Sequence, residues 1–139
     1  MNRDDLDHAV RAIRIASDVD IVEARTAVRS LASEVGFAGT DLVMIATAVS
    51  EIARNIVEYA KRGQVICSVV QTTSHRGLEI VARDEGPGIA DVSQAMQDGY
   101  SSASGLGLGL PGSRRMMDEF LVDTKPGRGT TITMRKWLP

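Results

Sequence analysis

The chain has 139 residues, 43% apolar and 24% charged, the balance of a soluble globular protein with enough length for one core, and residues 1–139 read as a single domain. A net charge of -2 and an isoelectric point near 5.7 leave no basic footprint, which argues against nucleic acid as a main partner. No apolar run approaches the ~20 residues that cross a bilayer, and Met1–Asp5 lacks the apolar stretch of a secretion signal, so no membrane partner and a cytoplasmic setting are expected. The single cysteine, Cys67, fits a reducing compartment, and with only His8 and His75 beside it a structural zinc site is not expected.

In chain order, Ala9–Ala16 alternates loosely around Val10, Ile13 and Ile15 and predicts a short strand. Ser17 or Asp18 can cap a helix whose apolar seam is Ile21, Ala24, Val28, Leu31 and Val35, with Gly36 as its stop. A second helix is expected from a Thr40 cap to about Arg62, stopped by Gly63, with a seam running from Leu42 through Ile45, Val49, Ile52 and Ile56 to Ala60. Gln64–Gln71 and Gly77–Asp84 read as strands joined by a loop at Thr72–Arg76, and Cys67 falls inside the first as a buried small residue. Asp91–Gln97 suggests a short helix, Gly99–Gly109 a mobile polar and glycine-rich segment, and about Gly107–Phe120 another helix. Phe120–Thr124 and Thr130–Trp137 flank a turn at Pro126–Gly129, a second hairpin. Together these predict an α/β sandwich: helices packed on one face of a mixed, mostly antiparallel sheet.

Four places carry residues suited to chemistry. Glu51 and Asn55 are four apart on the second helix, on a face roughly 130° from the centre of the apolar seam. A solvated helix face is the plain reading; Met44 and Ala48 on the same stripe suit the floor of a pocket, where a carboxylate can activate a hydroxyl and an amide oxygen can help hold Mg²⁺. Asp84-Glu85-Gly86-Pro87-Gly88 follows a strand, either as a tight turn or as a place where Asp84 accepts a hydrogen bond from a base amine while Gly86 and Gly88 let backbone approach a ligand. Gly105, Gly107, Gly109 and Gly112 precede or open a helix, which is either a flexible loop or a cradle of backbone N–H groups for a phosphate chain. No apolar strand leads into them, so a dinucleotide fingerprint is rejected, and no P-loop is present. Gly129-Thr130 reads as turn chemistry that can also place a hydroxyl near a base.

Taken in order, Glu51-x-x-x-Asn55, Asp84-x-Gly86-x-Gly88, Gly105-x-Gly107-x-Gly109 and Gly129-Thr130 resemble the N-box, the two glycine boxes and the terminal box of the GHKL superfamily of ATPases and kinases. The resemblance implies a GHKL ATP-binding fold, with ATP and Mg²⁺ between the Glu51 helix and a lid of about residues 90–110. Asn55 would bind the metal with the phosphates, Asp84 the adenine amine, and Glu51 would polarise an acceptor hydroxyl. At this length neither a phosphoacceptor helix nor a transducer domain is expected, and the resemblance narrows to the stand-alone anti-sigma and switch kinases. Asp20–Arg25, Ala53–Ile56, Asp98–Ser101, Gly105–Gly112, Met117–Phe120 and Lys136–Leu138 are most similar to the RsbT type of stressosome serine/threonine kinase. That implies STAS-domain scaffold and antagonist substrates of the RsbS and RsbR kind, and activation of a PP2C-type phosphatase of the RsbU kind. A nucleotide-dependent, anti-sigma-like binding module without kinase activity is the alternative; ATP hydrolysis without a protein acceptor is a third.

Overall fold

The computed structural model describes residues 3–86 and 109–139. A short helix, α1 (Arg3–Asp7), precedes strand β1 (Val10–Ile15) and helices α2 (Asp18–Val35) and α3 (Thr40–Asn55). A π-helical turn (Ile56–Ala60) extends α3 and leads into the hairpin β2 (Gly63–Gln71) and β3 (Arg76–Asp84). Helix α4 (Gly109–Met116) and the hairpin β4 (Glu119–Thr124) and β5 (Thr130–Trp137) complete the described chain. The predicted helix at Asp91–Gln97 and the expected mobile segment up to Leu108 lie outside the described residues.

The five strands form one sheet in the order β1-β2-β3-β5-β4, and each pairing is antiparallel. A mixed, mostly antiparallel sheet was the expectation, and every pairing among the described residues is antiparallel. Helices α2 and α3 pack on each other and on one face of the sheet, and α4 packs along α3. Alternation selects that face: Ile13, Val65, Ala82 and Ile132 are adjacent in register and all buried, as are Cys67, Ile80 and Met134 one row further on. Burial pushes the Cys67 thiol up to about 12, so it behaves as an apolar filler.

The helix ends follow local chemistry, with corrections. Ser17 caps α2, and the Asp20 carboxylate accepts hydrogen bonds from the backbone N–H groups of Ala16 (2.8 Å) and Ser17 (3.1 Å). Gly36 closes α2 at φ 126°, as its sequence position suggests. The cap residue of α3 is Gly39 rather than Thr40, which is already helical. Its α-helical part stops at Asn55, not Arg62, and Lys61, left-handed at φ 74°, ends the π turn by donating its N–H to Ile56 O. Gly63 is therefore not the stop. It lies in β2, where a Cβ would come within 2.4 Å of the Arg83 carbonyl oxygen. Helix α4 ends at Met116, and Phe120 belongs to β4, because the alternation that buries β4 against the core starts at Glu119.

Candidate nucleotide site

Along the helix-covered face the rows of the sheet are mainly apolar, with Arg11 beside Cys67 and Lys136 beside Leu78 as exceptions, and the last row is mixed. There Ile15, Gly63, Asp84, Thr130 and Thr124 lie side by side in register. A carboxylate and two hydroxyls thus reach the end of the core without crossing it. Asp84 is half-buried, and burial raises its pKa above the usual carboxylate value, while hydrogen bonds from the backbone of Gly86 and Thr130 oppose the rise. The Gly86 N–H donates to Asp84 Oδ1 at 2.8 Å. Two backbone donors leave a carboxylate with acceptor capacity for a base amine.

Close approach of backbone explains the glycines at this corner. Gly129 has φ 83°, and a Cβ on it would lie 2.1 Å from the Asp84 carbonyl oxygen. A Cβ on Gly86 would lie 2.6 Å from the Cβ of Ala60, which seats the strand exit on the π turn of α3. Thr130 is buried, and its hydroxyl is 2.8 Å from that of Thr124, so it supports the corner.

Glu51 and Asn55 are both half-buried on α3, one and two turns beyond the fully buried Ala48. The stripe they share is not a freely solvated face: α4 leans on it, and the buried Ser113 hydroxyl lies 3.5 Å from Ala48 O. Glu51 Oε1 accepts a hydrogen bond from Arg54 Nη1 at 2.7 Å, a partner whose i,i+3 spacing is readable in sequence and was given no role there. The structure therefore places Asn55 at the junction of α-helix and π turn, and that same turn meets the Asp84 corner through Ala60. Gly109 starts α4; Gly88, Gly105 and Gly107 lie outside the described residues.

The residues present fit a nucleotide with its metal. Among the described residues no group of three His, Cys, Asp or Glu side chains could hold a cation alone. A cation here would rely on one amide oxygen together with phosphate oxygens and water, since Mg²⁺ at nucleotide sites keeps several waters and draws ligands from the phosphates. Lys136, buried near the end of β5, was missed in sequence: its Nζ donates to Met116 O at 2.8 Å and fixes the C-terminus of α4 to the sheet. A lone lysine in an alternating strand carries no signal for that contact.

Comparison with known proteins identifies the family. Residues 15–136 match the family described as the histidine kinase-like ATPase domain. The serine/threonine-protein kinase RsbT of Bacillus subtilis (strain 168) is 48% identical over 126 residues, 91% of this chain and 95% of RsbT. The anti-sigma F factor of Clostridium acetobutylicum is 35% identical over 120 residues, 81% of this chain and 82% of that protein. In structure, the mycobacterial sensor histidine kinase MprB superposes with a TM-score of 0.57 at 20% identity, covering 94% of this chain and 97% of that one, a likeness of fold. Among the described residues no helix is long and apolar enough to cross a membrane. The chain belongs to the histidine kinase-like ATPase domain family, in the company of RsbT and the anti-sigma F factors.

Proposed function

We propose that this chain is a serine/threonine protein kinase of the RsbT kind, acting in the cytoplasm as one ATP-binding domain that exchanges regulatory partners. The observation that carries the reading is 48% identity to RsbT over nearly the full length of both chains; Asn55 at the start of the π turn, whose last residue Ala60 packs against Gly86 beside Asp84, supports it. In this reading Asp84 accepts a hydrogen bond from the adenine amine, and Gly86 and Gly88 let the backbone approach the nucleotide. Gly105, Gly107 and Gly109 contribute N–H groups to the phosphates, and Thr130 lies near the base. Asn55 would hold Mg²⁺ together with the phosphates. Glu51 takes the proton from a serine or threonine hydroxyl as that oxygen attacks the γ-phosphoryl group. ATP supplies the phosphoryl group, whose bond to the β–γ bridging oxygen breaks as ADP leaves, and a bound Mg²⁺ would offset negative charge on the phosphates.

The acceptors are STAS-domain scaffold and antagonist proteins of the RsbS and RsbR kind, and the released kinase then activates a PP2C-type phosphatase of the RsbU kind. The test is phosphotransfer from labelled Mg-ATP to a purified STAS-domain antagonist. Wild type should label a serine or threonine, and Glu51→Ala should lower the rate by about 100-fold or more with nucleotide binding intact. Absence of transfer to every STAS-domain antagonist tested would overturn the reading. Sigma-factor capture without any transfer would instead support the binding-module alternative, which the 35% identity to an anti-sigma F factor keeps in play.

A further inference from the structure

The sheet face turned away from α2 and α3 has two contrasting ends. At one end its charges are paired: Arg135 sits between Glu79, 2.7 Å away, and Glu119, 3.6 Å away. At the other end Arg14, Gln64 and Arg83 lie side by side on β1, β2 and β3. Arg62 immediately precedes β2, and these side chains line a cavity of about 630 Å³. Among the described residues none of Arg14, Arg62 and Arg83 makes an ion pair or a side-chain hydrogen bond, although Glu85 lines the same cavity.

Adjacent strands lie about 4.8 Å apart, so Arg14 and Arg83 stand about 10 Å apart, within reach of each other's guanidinium ends across Gln64. Asp84 and Glu85 line the same space, so three guanidinium groups face two carboxylates and one formal positive charge is left for an anion. Guanidinium forks match the oxygens of phosphoryl groups bidentately. The walls contributed by Ala12, Ala60 and Gly63 are small, which leaves a volume in the range of small-molecule sites.

We infer that this cavity binds a phosphoryl dianion, carried by a small phosphorylated molecule or by a phosphorylated side chain of a partner. None of Arg14, Arg62, Gln64 and Arg83 is among the nucleotide-site residues, and Glu51 and Asn55 lie on α3, across the sheet; Ala60, Gly63 and Asp84 border both places. The inference therefore stands apart from the kinase reading.

The test is amide NMR on the full chain, titrated separately with inorganic phosphate, a phosphoserine peptide, its unphosphorylated twin and Mg-ATP. Saturable shifts at Arg14, Gln64 and Arg83 are expected with phosphate or phosphopeptide, weakened about tenfold or more in Arg14→Gln/Arg83→Gln. A response to phosphate marks the small-molecule source, and a response to the phosphopeptide alone marks a partner. The double variant should keep wild-type Mg-ATP shifts, which also reports that it is folded. Silence at these amides with both phosphoryl probes would overturn the inference. So would equal binding by the double variant, or shifts there from Mg-ATP alone, which would make the cavity part of the nucleotide site.

Discussion

The Asp84 corner and the Glu51–Asn55 stripe hold their polar groups by different means. At the corner, backbone does it: Asp84 accepts from Gly86 and Thr130, and Gly63, Gly86 and Gly129 press main chain against main chain or against Ala60. On α3, Glu51 is held by one partly exposed side chain, Arg54. A backbone-held group tolerates no crowding and keeps its position when neighbours change. A side-chain-held group can be released cheaply, which suits a residue that must turn toward an incoming hydroxyl.

The sharpest way to break this contrast is crowding at the corner. Gly129→Val places a branched Cβ at positive φ against the Asp84 carbonyl, and should cost about 3 kcal/mol or more of stability. Chemical denaturation measures it, and a loss below 1 kcal/mol by the same scale would mean the corner yields.

Asp84→Asn comes next. The amide oxygen can still accept from Gly86, so the fold should persist while ATP binding weakens by about tenfold or more. Its pH behaviour has a definite sign. A carboxyl whose pKa is raised by burial favours the folded state most below its unfolded value of about 3.9, and that contribution is lost as pH rises through the raised folded value. Above that window Asp84→Asn should therefore be at least as stable as wild type. Over the same window wild-type ATP affinity should rise with pH as the carboxylate forms, and the variant should show no such rise. Thermal melts and calorimetry across the acid range read both.

The smallest effect belongs to α3. Arg54→Ala removes a pair in which both side chains are more than a third exposed, and solvent screening limits the stability change to about 0.3 kcal/mol. A loss several times larger would place the pair inside the core's support and erase the contrast.

Much of this was readable from residue order. Period-two and helical spacing found the strands and both long helices, because their buried faces are unbroken: Ile13 and Ile15 on β1, and Ile21 to Val35 on α2. Boundaries failed where tertiary contact overrides propensity. Gly63 reads as a helix stop, yet its place is set by Arg83 on the next strand, and the π turn after Asn55 has no spacing signature of its own. At the site, Glu51, Asn55 and Asp84 could be nominated from motif spacing. The contact of the π turn with the Asp84 corner could not, since it runs through Ala60 against Gly86 and through the register of Asp84 with Thr130. Lys136 and the unpaired arginines of the outer face depend on which strands are neighbours, and that order is nowhere written locally.

The most direct test of the nucleotide site is calorimetry of ATP with wild type and Asp84→Asn, each with and without Mg²⁺. The account predicts Mg²⁺-dependent binding by wild type that is strongly weakened in the variant. Equal binding by both, or no binding by folded wild type, would contradict it.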